Sequence, residues 1–333
     1  MADMGQSNQE FLNNVLQKLH GNLEAKFKKF VDDQIRAIEE TKVKIKKRKG
    51  VIHFIRIFPH FATAVETMLA SSSTSAIADP SLPVRRMVDR EYDRILKSMF
   101  DSLKIIAREN PALAPAATLA STSSSAVADP EDKEALNFHI LLIENMNHFL
   151  EEVIDTSRSG GSREVLDDWR EAAQREMAEH MGLYLNAVMR RPLGKLLEYL
   201  ENIEAQLQGG KSGAAVAAQP SNSKSVFNKV LGGYDGREVR KGIEALRKRV
   251  EKHFGEEEGG SGLGVPGLPG TSGSGGGSSN SSLVNRVTKE CERFYVDVGL
   301  RIGRVTTDVY GGDVLFEWPR AEVRSAFAIA GAR

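Results

Sequence analysis

The sequence predicts an all-α fold, and three neighbouring segments between Glu134 and Gln208 carry this prediction. In the third segment, apolar residues recur every three or four positions between charged residues, as on one face of an amphipathic helix. These apolar residues are Leu193, Leu196, Leu197, Leu200, Ile203 and Leu207. The second segment, 165–188, repeats the spacing, and Pro192 predicts a break between the two helices. The first segment, 135–154, is apolar around most of its circumference, so we expect it to be the central helix of a bundle over 134–208.

A long helix is predicted near the start of the chain, over residues 8–49. Apolar residues follow three- and four-residue steps from Phe11 to Ile38, with no internal cap. Such a length is typical of a rod or of the arm of a coiled coil. After Gly50, residues 51–69 predict a core helix with a kink at Pro59. We therefore group residues 1–70 as a long helix and an apolar helix separated by a basic run.

Two Ser- and Ala-rich stretches resemble each other, one from Leu69 to Pro80 and one from Leu119 to Pro130. Their biased composition predicts solvated connectors rather than a structural repeat. Between them, apolar residues from Met87 to Ile106 lie on one predicted helical face. Region 71–133 is therefore predicted to be one helix flanked by connectors.

The rest of the chain is predicted to alternate linkers and helices. Residues 209–223 predict a flexible linker, and 224–256 predict a helical hairpin around a glycine-rich turn. Residues 257–282 are rich in Gly and Ser and predict a disordered insert. Residues 283–333 predict a tail that is partly helical and starts with apolar positions from Val284 to Tyr295.

Composition restricts the class of protein. The chain carries 45 basic residues (Lys and Arg) and 45 acidic residues (Asp and Glu), so as a whole it has no electrostatic bias towards nucleic acid or an anionic membrane. The single cysteine, Cys291, excludes an internal disulfide and fits a reducing, cytoplasmic location. The N-terminal residues show no signal-peptide pattern, and no run reaches the roughly eighteen apolar residues of a membrane span.

Catalytic and metal-binding patterns are not found in the sequence. The seven histidines form no HExxH or ExxH pair. Glu144 and His148 are spaced to share a helical face, but a metal site needs three or four ligands. The glycines at Gly232 and Gly233 lack the preceding strand and the lysine of a phosphate loop, and Cys291 lies in a predicted helix core. The sequence therefore predicts a protein that is not an enzyme and uses no cofactor.

A basic run is the one local electrostatic feature that suggests a partner. Its residues are Lys42, Lys44, Lys46, Lys47, Arg48 and Lys49. Six charges in this run could attract anionic phospholipid, at about 1 kcal/mol per charge, or an acidic surface of a protein partner. The interpretation that we favour over these partners is a solvated helix end, which suits the helix dipole and whose charges are met by acidic residues on neighbouring helices. Nucleic acid is the least favoured of these partners, and we predict none.

Five blocks of sequence resemble the C-terminal region of the exocyst subunit Sec3 in its filamentous-fungal form. They occur in the order of that family and lie within residues 20–256. The blocks are KFVDDQIRAIEE and its continuation to Leu69, VDREYDRILKSMFDSLK, DKEALNFHILLIENMNHFLEEV, the segment from WREAAQREM to IEAQL, and YDGREVRKGIEALRKRVEKHF. The resemblance implies an elongated rod of consecutive helical bundles, as in multisubunit tethering complexes. It also implies that the partners are other exocyst subunits and that the complex holds secretory vesicles at the plasma membrane.

The resemblance implies one further limit. In the family, a module that binds phosphoinositides and Rho-type GTPases precedes this region, and no β-rich segment precedes Asn8 here. We expect those activities to be absent from this chain, which we interpret as a fragment or a short gene model. The sequence thus predicts a non-enzymatic scaffold, peripheral at sites of secretion on the plasma membrane. The alternative is a peripheral membrane-binding helical module that uses residues 42–49.

Overall fold

The computed structural model describes residues 2–41, 50–71, 83–108, 133–157, 164–255 and 276–328. These residues form ten α-helices and one short 3-10 helix, with no β-strand among them, so the predicted all-α class is confirmed. In chain order the elements are α1 (Ala2–Glu39), α2 (His53–Ser71), α3 (Pro83–Arg108), α4 (Lys133–Ser157), α5 (Glu164–Gln208), α6 (Gly213–Ala217), the 3-10 helix (Pro220–Asn222), α7 (Lys224–Leu231), α8 (Gly236–Phe254), α9 (Gly276–Tyr310) and α10 (Arg320–Ala328).

The chain divides into two compact units, which are not contiguous in sequence. Unit 1 comprises Met1–Ala114 and His148–Glu176, and unit 2 comprises Pro115–Asn147 and Met177–Arg333. The unit boundaries fall inside α4 and inside α5, so neither unit is a simple run of consecutive helices. The elongated rod stays a prediction of the resemblance.

The core of unit 1 is aromatic. The ring of Phe58 lies 5.9 Å from that of Tyr92 and 6.3 Å from that of Phe149, measured between centroids. Phe100 lies 5.5 Å from Phe149 and 4.9 Å from Trp169. Aromatic pairs at these separations add to the free energy gained from burial of their area. The segment His148–Glu176 therefore supplies two of the five rings that hold this core together.

The core of unit 2 is built from the apolar stripes of long helices. The stripe of α5 predicted from the sequence is buried from Leu193 to Ile203. On α8, the buried residues Val239, Ile243, Leu246, Val250 and Phe254 follow the same helical spacing. On α9, buried residues continue at three- and four-residue steps from Leu283 to Val309. Helix α8 packs against both α9 and α10, and its Gly242 closely approaches Pro192 on α5, so these faces form one apolar core.

The predicted break at Pro192 is wrong, because α5 runs through this residue without interruption. Proline in a helix interior removes one hydrogen bond and costs about 3 kcal/mol. Buried residues on both sides, including Val188 and Leu193, hold the helix in place. In addition, the backbone N–H of Leu196 donates to the hydroxyl of Tyr234 at 3.2 Å. Tertiary packing therefore outweighs the local preference of proline.

The prediction of a flexible linker over 209–223 also differs from the structure. This segment forms α6 and the 3-10 helix, and Val216 and Asn222 are fully buried. The hydroxyl of Tyr310 donates to the carbonyl of Asn222 at 2.7 Å, and α6 packs against α9. A Cβ placed on Gly213 would lie only 1.9 Å from the carbonyl oxygen of Asp308, so glycine permits this close approach.

Element ends differ from the sequence predictions in two further places. Helix α1 ends at Glu39 rather than continuing to 49, and residues 42–49 lie outside the described part of the chain. Helix α9 begins at Gly276, inside the range predicted to be disordered, and runs through the positions from Val284 to Tyr295 at the start of the predicted tail. Residues 256–275 and most of both connectors lie outside the described residues.

Candidate interaction surface

The N-terminal half of α1 exposes an apolar stripe. Phe11 is 71% exposed, Leu16 is 54% exposed and Leu23 is 67% exposed. We call the exposed set the α1 stripe; its members are Phe11, Leu12, Leu16, Leu19 and Leu23. Single exposed apolar residues are ordinary, but a contiguous set along one helix indicates an interaction site.

The α1 stripe is exposed because α1 packs on unit 1 through its C-terminal part. Val31 and Ile38 are buried there, and α1 packs against α3. The guanidinium of Arg94 on α3 donates to the carboxylate of Asp32 at 2.6 Å. The ring of Phe30 lies 5.8 Å from that of Phe61 on α2. By contrast, no residue from 9 to 26 is classed as buried, so this part of α1 leaves its apolar side chains uncovered by the described residues.

The spacing of the α1 stripe matches the seam of a coiled coil. Leu12, Leu16, Leu19 and Leu23 follow steps of four, three and four residues, which is the alternation of a and d positions. Between residues 11 and 23 the side chains other than Lys18 and His20 carry no charge. An apolar helix would therefore be held here by packing of side chains rather than by ion pairs.

The predicted contact at the basic run lies outside the described residues. The structure describes its neighbours Thr41 and Gly50, but not Lys42, Lys44, Lys46, Lys47, Arg48 or Lys49. A lipid or partner contact at these residues therefore stays a prediction.

Among the described residues, no group of three or more His, Cys, Asp or Glu side chains could hold a metal ion. Two histidines do lie close together, since the Nδ1 atoms of His139 and His180 are 3.1 Å apart. Cys291 is buried as predicted, and burial raises the pKa of its thiol to about 12. The reactive thiolate is therefore disfavoured at neutral pH.

A search of the described helices for a membrane span gives a negative result, since none combines the length and the apolar content that crossing a bilayer requires.

The sequence identified the apolar residues of the α1 stripe but not their exposure. Their periodicity is the same as that of a buried helix, and only the length of the predicted helix without a cap favoured an arm. What distinguishes the two cases is whether another helix covers the face, and that depends on residues far away in the chain.

Comparison with known proteins agrees with the resemblance found in the sequence. A model of the family described as exocyst complex component Sec3, C-terminal, matches residues 1–312. This match extends beyond the region of resemblance seen in the sequence and includes α9. No solved structure matches the chain.

Two curated relatives carry the same name. A protein of Mus musculus named exocyst complex component 1 is 25% identical over 248 residues, which cover 74% of this chain and 24% of the mouse protein. A protein of Drosophila melanogaster with the same name is 23% identical over 232 residues, which cover 70% of this chain and 22% of the fly protein. The matched part of the chain thus spans about a quarter of the length of these relatives.

Proposed function

The chain belongs to the family of exocyst Sec3 C-terminal regions, and we propose that it is a non-enzymatic scaffold that helps tether secretory vesicles to the plasma membrane. It would do so by packing helix faces against other exocyst subunits at sites of secretion. The observation that carries the proposal is the α1 stripe, an apolar face with coiled-coil spacing that no described residue buries.

The stripe favours a helix as the binding element. An exposed row of Leu at a and d positions gains free energy by burial, at about 25 cal/mol per Å² of apolar area. A second helix with the same spacing buries such a row through knobs-into-holes packing. A partner subunit that offers an amphipathic helix therefore fits this face.

The test is an affinity purification of the tagged full chain from a lysate, followed by mass spectrometry. We expect the wild-type chain to recover other exocyst subunits at moderate salt. The variant Leu16→Glu/Leu19→Glu/Leu23→Glu places three charges in the seam and is expected to recover none, since burying unpaired carboxylates costs several kcal/mol.

A matched control is Gln17→Glu/Lys28→Glu, because both residues are exposed on the face of the same helix that is opposite the leucines, and the two substitutions change the net charge by the same three units. It adds glutamates to α1 without entering the stripe, so recovery is expected to be retained. Loss of partners in both variants, or recovery of no exocyst subunit by a wild-type chain that is folded by circular dichroism, would refute the proposal.

We propose as the alternative that Lys42 to Lys49 hold the chain on anionic phospholipid. The basic run supports this, since clustered cations gain about 1 kcal/mol each near an anionic surface and lose it as salt screens the attraction. Sedimentation with phosphatidylserine vesicles is expected at low salt and is expected to weaken as salt rises. Unchanged sedimentation of Lys44→Glu/Lys46→Glu/Lys47→Glu would remove this alternative.

A further inference from the structure

A groove of about 340 Å³ lies in unit 1 between α1, α2 and α3. Its lining includes buried residues, such as Phe58 on α2 and Met99 on α3. It also includes Phe30 on α1 and Ile57 on α2, whose side chains are each 44% exposed. The described residues thus leave an apolar groove open to solvent. Its volume lies in the range of about 300–1,000 Å³ that ligand pockets occupy in other proteins.

The groove lies on the same face of α1 as the α1 stripe. The α1 side chains in its lining include Phe30, Gln34 and Ala37. Each of these follows a leucine of the stripe by eighteen residues; the three leucines are Leu12, Leu16 and Leu19. Because a helix has about 3.6 residues per turn, eighteen residues are five whole turns, or about 27 Å. Since α1 is a single helix without proline, a second helix that packs along the α1 stripe reaches the groove when it continues by that length.

Lys26 lies on this face between the α1 stripe and the groove. It follows Leu19 by seven residues, so it takes the equivalent position in the next heptad, and it is exposed. A single polar residue in an apolar seam fixes the register of the two helices at a cost in stability. An acidic side chain opposite Lys26 on the second helix offsets part of that cost, because the opposite charges attract.

Two other occupants fit the groove less well. The chain that follows Thr41, which lines the groove, has six basic residues among the eight from 42 to 49, and charged side chains lose hydration in an apolar groove. A second copy of the chain, with its α1 stripe placed antiparallel in this groove, would bring the Lys26 side chains of the two copies close together. Such a contact between like charges is unfavourable.

We propose that the groove holds the end of the same partner helix that packs on the α1 stripe. This helix inserts one bulky apolar side chain, a Leu, Met or Phe, between Phe30 and Ile57, and it carries an acidic side chain opposite Lys26. Side chains of α1, α2 and α3 surround the inserted group, as they do at the anchor positions that supply most of the energy of an interface. The inference rests on the proposed function of the α1 stripe and adds that the partner helix is at least about 40 Å long.

The first test is affinity purification of the tagged full chain carrying substitutions in the groove. Ala37→Trp fills the groove from an exposed position, and Ile57→Asp places a carboxylate in its lining. We expect each to lower the recovery of exocyst subunits at least about tenfold, as loss of an anchor does. Arg36→Trp and Ala64→Asp are the size and charge controls, because both residues are exposed on the same helices and lie outside the lining. Both controls are expected to recover the subunits as the wild type does.

The second test maps the partner helix by photo-crosslinking. The photoreactive residue p-benzoylphenylalanine replaces either Val15, next to the α1 stripe, or Asp33, next to the groove, and these two positions are eighteen residues apart. We expect both positions to crosslink to one helix of one exocyst subunit, at two sites about eighteen residues apart. The partner sequence between the two sites is expected to contain an acidic residue.

The outcomes separate this inference from the proposed function. If Ala37→Trp and Ile57→Asp recover subunits at the wild-type level while Leu16→Glu/Leu19→Glu/Leu23→Glu recovers none, the inference is overturned and the proposed function stands. Crosslinks from Val15 and Asp33 to different subunits would have the same meaning. A dimer of the purified chain in light scattering that Ala37→Trp dissociates would assign the groove to a second copy and overturn the inference. Recovery of no exocyst subunit by the wild-type chain would refute both.

Discussion

Gly299 on α9 lies directly against the indole ring of Trp318, which is almost fully buried. A Cβ at this position would lie 2.6 Å from Cδ1 and 3.0 Å from Cγ of the indole, well inside van der Waals contact. We predict that Gly299→Ala lowers the free energy of unfolding by about 1–3 kcal/mol, because the ring must move within a packed core. Urea denaturation measures this change.

Gly303 supplies the matched control, since it lies one turn further along α9 and a Cβ there meets nothing within 4 Å. Gly303→Ala is expected to raise the free energy of unfolding by about 0.5–1 kcal/mol, because alanine restricts the unfolded backbone more than glycine does. If both substitutions stabilise the chain, the packing of Trp318 against α9 is not as the structure has it.

The His139–His180 pair makes stability depend on pH. Burial, together with the smaller effect of the neighbouring His180, lowers the pKa of His139 to about 4 from its ordinary value of 6.5. The hydrogen bond between their Nδ1 atoms needs one neutral ring as the acceptor. It is therefore lost when both rings are protonated to imidazolium. Between these two pKa values the unfolded chain binds more protons, so stability is fully present above about pH 6.5 and is lost as the pH falls towards 4.

We predict that His139→Phe reduces the loss of unfolding free energy between about pH 7.5 and about pH 5.5, where carboxylates stay ionised. Urea denaturation at the two pH values measures this difference. The control His20→Gln changes an exposed histidine on α1 and is expected to leave the difference as in the wild type. An equal loss in His139→Phe and wild type would show that the pair does not control this pH range.

At the scale of elements, the sequence predicted the long helices and the helical class well. The stripes of α5 and α8 are visible because each apolar residue is followed three or four positions later by another. The errors occur where a distant contact decides the local structure. The continuity of α5 at Pro192 depends on packing and on the hydrogen bond from Leu196 to Tyr234, a residue thirty-eight positions later in the chain. No local pattern carries that information.

The segment over 209–223 shows the same limit. Its composition of Gly, Ala and Ser is that of a linker, and α6 has only five residues, too few for a helix to be stable alone. Helix α6 is held by α9, through the buried Val216 and the close approach at Gly213. For the candidate interaction surface, periodicity found the residues of α1, but their exposure required the structure of unit 1.

We predict that Gly213→Ala releases this segment from α9, because the added Cβ would overlap the carbonyl of Asp308. Trypsin is expected to cleave after Lys211 and Lys224 at least about ten times faster, since 1.4 kcal/mol of local destabilisation raises the open population tenfold. Ala215→Ser, at an exposed position of α6, is the control and is expected to be cut at the wild-type rate. Equal rates for both variants would contradict the packing of α6 on α9.

At the scale of the whole molecule, the core of unit 1 is built from two segments that are separated in the chain. Unit 1 takes His148–Glu176 from the middle of the chain, and this segment supplies Phe149 and Trp169 to its aromatic core. The indole N–H of Trp169 also donates to the carboxylate of Asp93 at 2.9 Å. A cut between consecutive helices therefore cannot separate unit 1 intact.

We predict that a fragment of residues 1–114 keeps helical circular dichroism but loses a cooperative unfolding transition. Without Phe149 and Trp169, the rings of Phe58 and Phe100 are left exposed, and side-chain packing is lost while helices persist. The fragment is expected to bind the dye ANS, whereas the full chain is not. Full-length Trp169→Phe, which retains an aromatic ring, is the control; it is expected to unfold cooperatively with a loss of about 1 kcal/mol for the missing hydrogen bond. A sharp, cooperative transition in the fragment would mean that α1, α2 and α3 form a self-sufficient core, and that the segment from α4 and α5 only rests on it.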